Sequence, residues 1–170
     1  MANYVVDRSL LEEYLPRYTV LDEYQGRIYV SLIGFMFADT RLRSIPVPFH
    51  RNFEEVNLRF YVKYNHQGTW KRGAVFIKEI VPKAAISFVA NTFYHEHYQT
   101  MRMKHYYNEN NDSIKLGYHW KNKGIWNKLE AITEKEALPM LPGSVEEFIA
   151  EQYWGYAKYN AQTTFEYGVQ

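Results

Sequence analysis

The feature that most restricts the fold lies between Glu54 and Val81. From Glu55 to Lys63, Val56, Leu58, Phe60 and Val62 alternate with Glu55, Asn57, Arg59, Tyr61 and Lys63. Successive strand residues point to opposite faces, so this run predicts a strand with one apolar and one polar face. AVFIKEIV, ending at Val81, predicts the returning strand, and NHQGTWKRG between them reads as a hairpin loop. Pro82 suits the first position of a helix, where its missing amide costs nothing. Ala85, Phe88, Val89, Thr92 and Phe93 follow at helical spacing, predicting a helix to about Tyr94 with HEHY at its exit. Strand, return strand and helix together deliver a polar cluster.

The remaining sequence extends this pattern to a mainly β (α+β) chain with a few short helices. Its 170 residues suit a single domain over 1–170, and a domain of that size buries roughly 70% of its unfolded surface. Ser9 and Glu12 form a capping box for a short helix from about Leu10 to Leu15, which Pro16 stops. GRIYVSLIGFMFADTRL predicts one long or bent strand with Gly34 as a candidate bulge. In SIPVPFHRNF, Pro46 and Pro48 cannot donate to a ladder, so this stretch reads as an irregular rim loop. Antiparallel strands are expected at about Gln99–Tyr107, Ser113–Lys121 and Trp126–Thr133, the middle one with Ile114, Leu116, Tyr118 and Trp120 on its dry face. A second capping box, Ser144 and Glu147, opens a helix expected to reach Tyr156, with Val145, Phe148, Ile149 and Tyr153 buried; the strand TTFEYGV follows.

Composition excludes several function classes. The net charge of +1 gives no large footprint for nucleic acid or an anionic membrane, so neither is an expected partner. No cysteine is present, which removes disulfides, thiolate metal sites and a cysteine nucleophile together and fits a reducing cytoplasm, the expected location. No run of eighteen apolar residues occurs, and the N-terminus has no signal-peptide pattern. Glycine-rich phosphate motifs and a nucleophile elbow are absent, and no cofactor is expected. His95 and His97 flank Glu96 but lack a third ligand at a familiar spacing, so no metal site is assigned.

The polar face of the 55–63 strand is the better constellation. Residues four apart on a strand are separated by roughly 13 Å, so Glu55 and Arg59 cannot neutralise each other directly. If the face is buried, each needs a partner, with Glu79, Glu96, Arg102, Lys78 or a bound organic acid as candidates. Otherwise the face is simply solvated, as in many antiparallel sheets.

EEVNLRFYV followed by GAVFIKEIVP, ANTFYHEHY, TMRMKH, GSVEEFIAEQYWGY and FEYGV, in this order, resembles the YqjF-like family of unknown function in the acetoacetate decarboxylase-like superfamily. The likeness covers the chain from about Gly34 onward. It implies a strongly curved, largely antiparallel sheet closing into a barrel or cone around a pocket, with Glu55, Asn57 and Arg59 turned inward. Acetoacetate decarboxylase works through a lysine that forms a Schiff base. The segment matching that lysine is FYHEHY, which has none, and neither Lys83 nor Lys104 occupies the position. Imine-based decarboxylation is therefore not expected, although the enzyme's pocket glutamate has a counterpart at Glu54 or Glu55. Members of the family usually carry asparagine and proline where this chain has His95 and His97, and they continue beyond the EYGV-like strand, so a chain truncated relative to them is expected.

Three functional readings result. In the first, the domain holds a small, anionic organic or oxo acid, with catalytic candidates Glu55 and Glu96. Its expected ligand-binding residues are Asn57, Arg59, Tyr61, Glu79, Asn91, Tyr94, Tyr98 and Arg102, with the Arg59 fork on a carboxylate. In the second, the cavity serves a non-catalytic sensor or carrier. In the third, exposed tyrosine and tryptophan side chains form an interaction module for protein or single-stranded RNA, with the near-neutral charge counting against RNA. Superfamily membership makes a homo-oligomer unsurprising.

Overall fold

A computed structural model of the chain describes residues 1–39, 41–42, 45–46, 52–89, 91–92 and 97–168. It is mainly β with a few short helices. The strands are β1 (Ala2–Val6), β2 (Thr19–Leu21), β3 (Ile28–Phe37), β4 (Arg41–Leu42), β5 (Ile45–Pro46), β6 (Phe53–His66) and β7 (Thr69–Val81), then β8 (Tyr98–Thr100), β9 (Arg102–Glu109), β10 (Ser113–Asn122), β11 (Ile125–Glu134), β12 (Trp154–Lys158) and β13 (Thr164–Gly168). Helix α1 is Ala84–Val89, helix α2 is Val145–Ala150, and two 3-10 turns span Arg8–Leu10 and Glu12–Tyr14.

β1, β3, β6, β7, β12 and β13 pair in that order, with β2 added on β6 and β8 on β7. β11, β10 and β9 form a three-stranded antiparallel sheet, and β4 pairs with β5. Among the described residues the main pairing order does not return to its start, so the expected closed barrel or cone is not formed by these pairings. The pairing is largely antiparallel, as expected, but β8 and β12 both pair with β7 in parallel. The physical reason at β8 is the connection through α1: a crossover of a dozen or more residues returns the chain in its original direction, which a tight turn cannot do.

The chain divides into two compact units, to both of which β3, β6 and β7 contribute. One contains Met1–Ala2, Ile33–Asn57 and Lys78–Leu138, the other Asn3–Leu32, Leu58–Ile77 and Pro139–Gln170. In the second unit, Leu11, Leu21, Ile28, Val30, Phe60, Val62, Val75 and Tyr156 form one buried cluster, and Tyr61, Ala74, Phe148 and Ile149 another. Phe60 and Tyr61 are neighbours on β6, as are Ala74 and Val75 on β7, so the clusters cover opposite faces of these strands. Arg72 ties α2 to β7: its Nε donates to buried Asp22 at 2.7 Å, its Nη2 donates to the Phe148 carbonyl at 3.2 Å, and its Cζ lies 4.4 Å from the Phe148 ring centroid.

Several local expectations change. Ser9 does not open a helix: Asp7 is the cap, accepting from the Ser9 amide and hydroxyl, and the run forms 3-10 turns. Ser144 does cap α2, accepting from the Glu147 amide at 3.1 Å, while Glu147 reaches the Gly143 amide at 2.6 Å. α2 ends at Ala150 rather than Tyr156, leaving Tyr153 exposed and Tyr156 buried on β12. The hairpin between β6 and β7 is only Gln67 and Gly68, both at positive φ, with Asn65 Oδ1 accepting from the Gly68 amide. Gly34 lies inside an uninterrupted β3, where an added Cβ would come within 2.5 Å of the Tyr118 ring; the missing side chain admits that ring. On α1, Ser87 is buried while Ala85 and Phe88 are exposed, reversing the expected stripe. Phe93 and Tyr94, the expected end of this helix, and most of the predicted proline-rich rim loop lie outside the described residues.

Close backbone approach makes Gly73 a sharp test of the parallel pairing. A Cβ there would collide with the Trp154 carbonyl across the β7–β12 pairing. Gly73→Ala is expected to lower stability by about 1–3 kcal/mol in urea unfolding, and an unchanged midpoint would contradict this pairing.

Candidate functional site

In the first unit both faces of β6 are dry: Phe53, Val56 and also Glu55 and Asn57 are buried, so the polar face is not solvated. A buried carboxyl needs hydrogen-bond donors, and among the described residues one comes from β6 itself and one from β8. The Asn57 amide donates to Glu55 Oε1 at 2.9 Å, and the Tyr98 hydroxyl donates to Glu55 Oε2 at 2.9 Å. Having given Nδ2 to Glu55, Asn57 keeps its Oδ1 buried with no hydrogen-bond partner among the described residues.

Backbone pairing holds Tyr98 in place. Register sets it beside Glu79 across the β7–β8 pairing, and the Glu79 amide donates to the His97 carbonyl at 3.2 Å. The Asn91 side chain clamps it from the other side: Nδ2 donates to the Tyr98 carbonyl at 2.9 Å, and Oδ1 accepts from the Tyr98 amide at 2.8 Å. Ser87 and Thr100 hydroxyls, 2.8 Å apart, fasten α1 to β8. After Thr100 the chain changes sheets at buried Met101, whose amide donates to Val81; the single strand expected over Gln99–Tyr107 is thus two.

Glu55, Asn57, Glu79, Asn91 and Tyr98 are therefore assembled in one unit. The other expected residues are placed elsewhere. Arg59 and Tyr61 belong to the second unit, where the Tyr61 hydroxyl lies 2.6 Å from Ser31 Oγ and Ser31 donates to Asn3 Oδ1 at 2.7 Å. Because the single Ser31 proton is given to Asn3, Tyr61 must be the donor to Ser31. The Arg59 guanidinium lies 5.7 Å from the Tyr61 ring centroid, and its Nε is buried without a partner among the described residues. Arg102 is exposed at the start of β9. Tyr94, His95 and Glu96 lie outside the described residues.

The family model for DUF2071, an uncharacterized conserved protein, matches residues 1–170. The chain belongs to the DUF2071 family. It is 32% identical over 165 residues to the uncharacterized protein YqjF of Bacillus subtilis, a match covering 96% of this chain and 64% of that protein. Among solved structures it is similar to acetoacetate decarboxylase from Legionella pneumophila, with a TM-score of 0.57 and 16% identity over 96% of this chain and 58% of that one. The DUF2071 chain thus has an acetoacetate decarboxylase-like fold.

A phenol donating to a carboxyl, with a carboxamide oxygen beside it, can bind a ligand O–H or N–H and can relay a proton in an acid or base step. Among the described residues, the donors to Glu55 are a carboxamide and a phenol. Lys104, one of the two nearby lysines, lies 5.2 Å from the Trp126 ring centroid. Among the described residues no group of three or more His, Asp or Glu side chains is placed to hold a metal ion.

Sequence reasoning missed the partners of Tyr61 and, although it named Glu54 as an alternative to Glu55, the partner of that second acid on β6. Glu54 Oε1 lies 2.8 Å from His105 Nδ1, and His105 sits opposite Tyr118 in the β9–β10 register. Burial, followed by the Glu54 charge, raises the Tyr118 pKa above the usual tyrosine value. The readable signal for Ser31 was a lone hydroxyl in an apolar strand; Asn3 gave none, lying on a mostly exposed N-terminal strand.

If Tyr98 supports the buried carboxyl as described, Tyr98→Phe is expected to cost about 1–3 kcal/mol in urea unfolding. Tyr107→Phe, altering an exposed hydroxyl that bonds Glu109, serves as the control and should shift the midpoint far less. Equal effects would contradict a buried Glu55–Tyr98 pair.

Proposed function

We propose that this DUF2071 chain is a small-molecule-binding domain that retains an acetoacetate decarboxylase-like fold without imine chemistry, with Glu55, Asn57 and Tyr98 as its ligand-contacting centre. The supporting observation is Asn57 Oδ1, an acceptor held in place by its own amide's bond to Glu55 and left buried without a partner among the described residues. An orphaned buried acceptor is costly, and a ligand donor removes that cost. The ligand class is a small organic or oxo acid bearing a hydroxyl, enol or hydrated carbonyl. Tyr98 and Glu55 orient it and, in an enzyme, exchange a proton with it; a sensor or carrier would use the same contacts without turnover.

A second reading is favoured by Arg59, whose buried Nε also lacks a partner among the described residues. A guanidinium suits a carboxylate oxygen, so this reading centres an anionic ligand on Arg59 rather than on Glu55.

Thermal-shift measurements with pyruvate, acetoacetate, lactate and citrate on wild type, Glu55→Gln and Arg59→Ala separate these readings. Loss of the ligand shift in Glu55→Gln alone supports the first, and loss in Arg59→Ala alone supports the second. Identical shifts in all three proteins would discard both. Independently, borohydride with acetoacetate should leave every lysine unmodified, and a reduced covalent adduct on any lysine would overturn the imine-free assignment.

A further inference from the structure

The near-neutral net charge conceals a local imbalance on the three-stranded sheet. Register sets one face in rows across β9, β10 and β11: Arg102, Lys121 and Trp126; then Lys104, His119 and Lys128; then Tyr106, Gly117 and Glu130; then Asn108, Lys115 and Ile132. Side-chain contacts agree with this assignment. The Tyr106 and His119 rings are 5.8 Å apart, and Glu130 accepts from Tyr106 at 3.2 Å and from Lys128 at 2.6 Å, with His119 Nε2 at 3.0 Å.

Glu134 lies opposite Ser113 in the next row of the same face, so five cations share this face with two carboxylates, only one of them, Glu130, within the four rows. Glu130 engages Lys128, while Arg102, Lys115 and Lys121 have no carboxylate partner among the described residues. Arg102 lies directly opposite Lys121, and Lys104 and Lys128 flank His119. Like charges directly opposite destabilise a sheet, and a bound polyanion reverses the sign of that interaction. The two most basic rows are roughly 7 Å apart along the strands. At their edge stands Trp126, 40% exposed, with Lys104 Nζ 5.2 Å from its ring centroid.

We propose that this face binds single-stranded nucleic acid, with phosphates on Arg102, Lys104, Lys121 and Lys128 and a base stacked on Trp126. A cationic track beside an exposed aromatic ring is the combination that holds single strands without sequence preference. An acidic peptide would use the charges but not the ring. Total charge could not reveal this face, because acidic residues elsewhere in the chain balance it.

The test is fluorescence anisotropy of labelled oligouridine titrated with the full chain at about 50 and 200 mM salt. Binding is expected at the lower salt and should weaken at the higher. Trp126→Ala should weaken it about tenfold, and the charge reversal Arg102→Glu with Lys121→Glu should weaken it at least as much. Glu130→Gln should bind no more weakly than wild type; circular dichroism checks that each variant is folded. The proposal is overturned by no anisotropy change at low salt, by equal binding of the charge-reversed protein, or by co-sedimentation with phosphatidylserine vesicles or capture by polyglutamate while RNA is ignored.

Discussion

A carboxyl group inside a strand covered on both faces is the constraint on which the first unit depends. Glu55 is 2% exposed, and an acid in that position must be given donors or be expelled. One donor, Asn57, comes from the same strand two residues on. The other, Tyr98, is more than forty residues away in sequence and is brought in by the parallel β7–α1–β8 crossover. Asn91 then fixes the Tyr98 backbone with two hydrogen bonds. The crossover and the Asn91 clamp are intelligible as the means of presenting one phenol to one buried acid.

The DUF2071 chain shares the fold of a decarboxylase, and imine-free binding is proposed from its sequence rather than from that likeness. In that enzyme class an amine makes a covalent imine with substrate. Among the described residues, a phenol and a carboxamide donate to the acid. Likeness of fold does not transfer an activity.

Sequence legibility followed the physical origin of each feature. The alternation along β6, the return strand β7 and the three strands β9, β10 and β11 were readable because period-2 patterning is local. The end of α2 was not: Val145, Phe148, Ile149 and Tyr153 fit a helical stripe, yet Trp154–Lys158 forms a strand that pairs with β7, remote in sequence, and with β13 just downstream. Gly155 was the available warning, since glycine weakens a helix interior and here yields its side-chain space to the Tyr167 ring. Glu55, Asn57 and Tyr98 were legible as candidates, but their convergence was not, because parallel pairing leaves no signature in spacing. The placement of Arg102 was not legible for a related reason: the sheet change at Met101 sets it on the exposed face of another sheet.

Side-chain amide NMR offers the most direct test of the central claim, that Asn57 Oδ1 beside Glu55 awaits a ligand donor. Titration with the same organic acids should move the Asn57 side-chain amide resonances, together with the backbone amide of Tyr98, in saturable fashion. If a binding acid leaves those resonances unmoved and perturbs only residues outside this cluster, the ligand centre is not at Glu55 and the account fails.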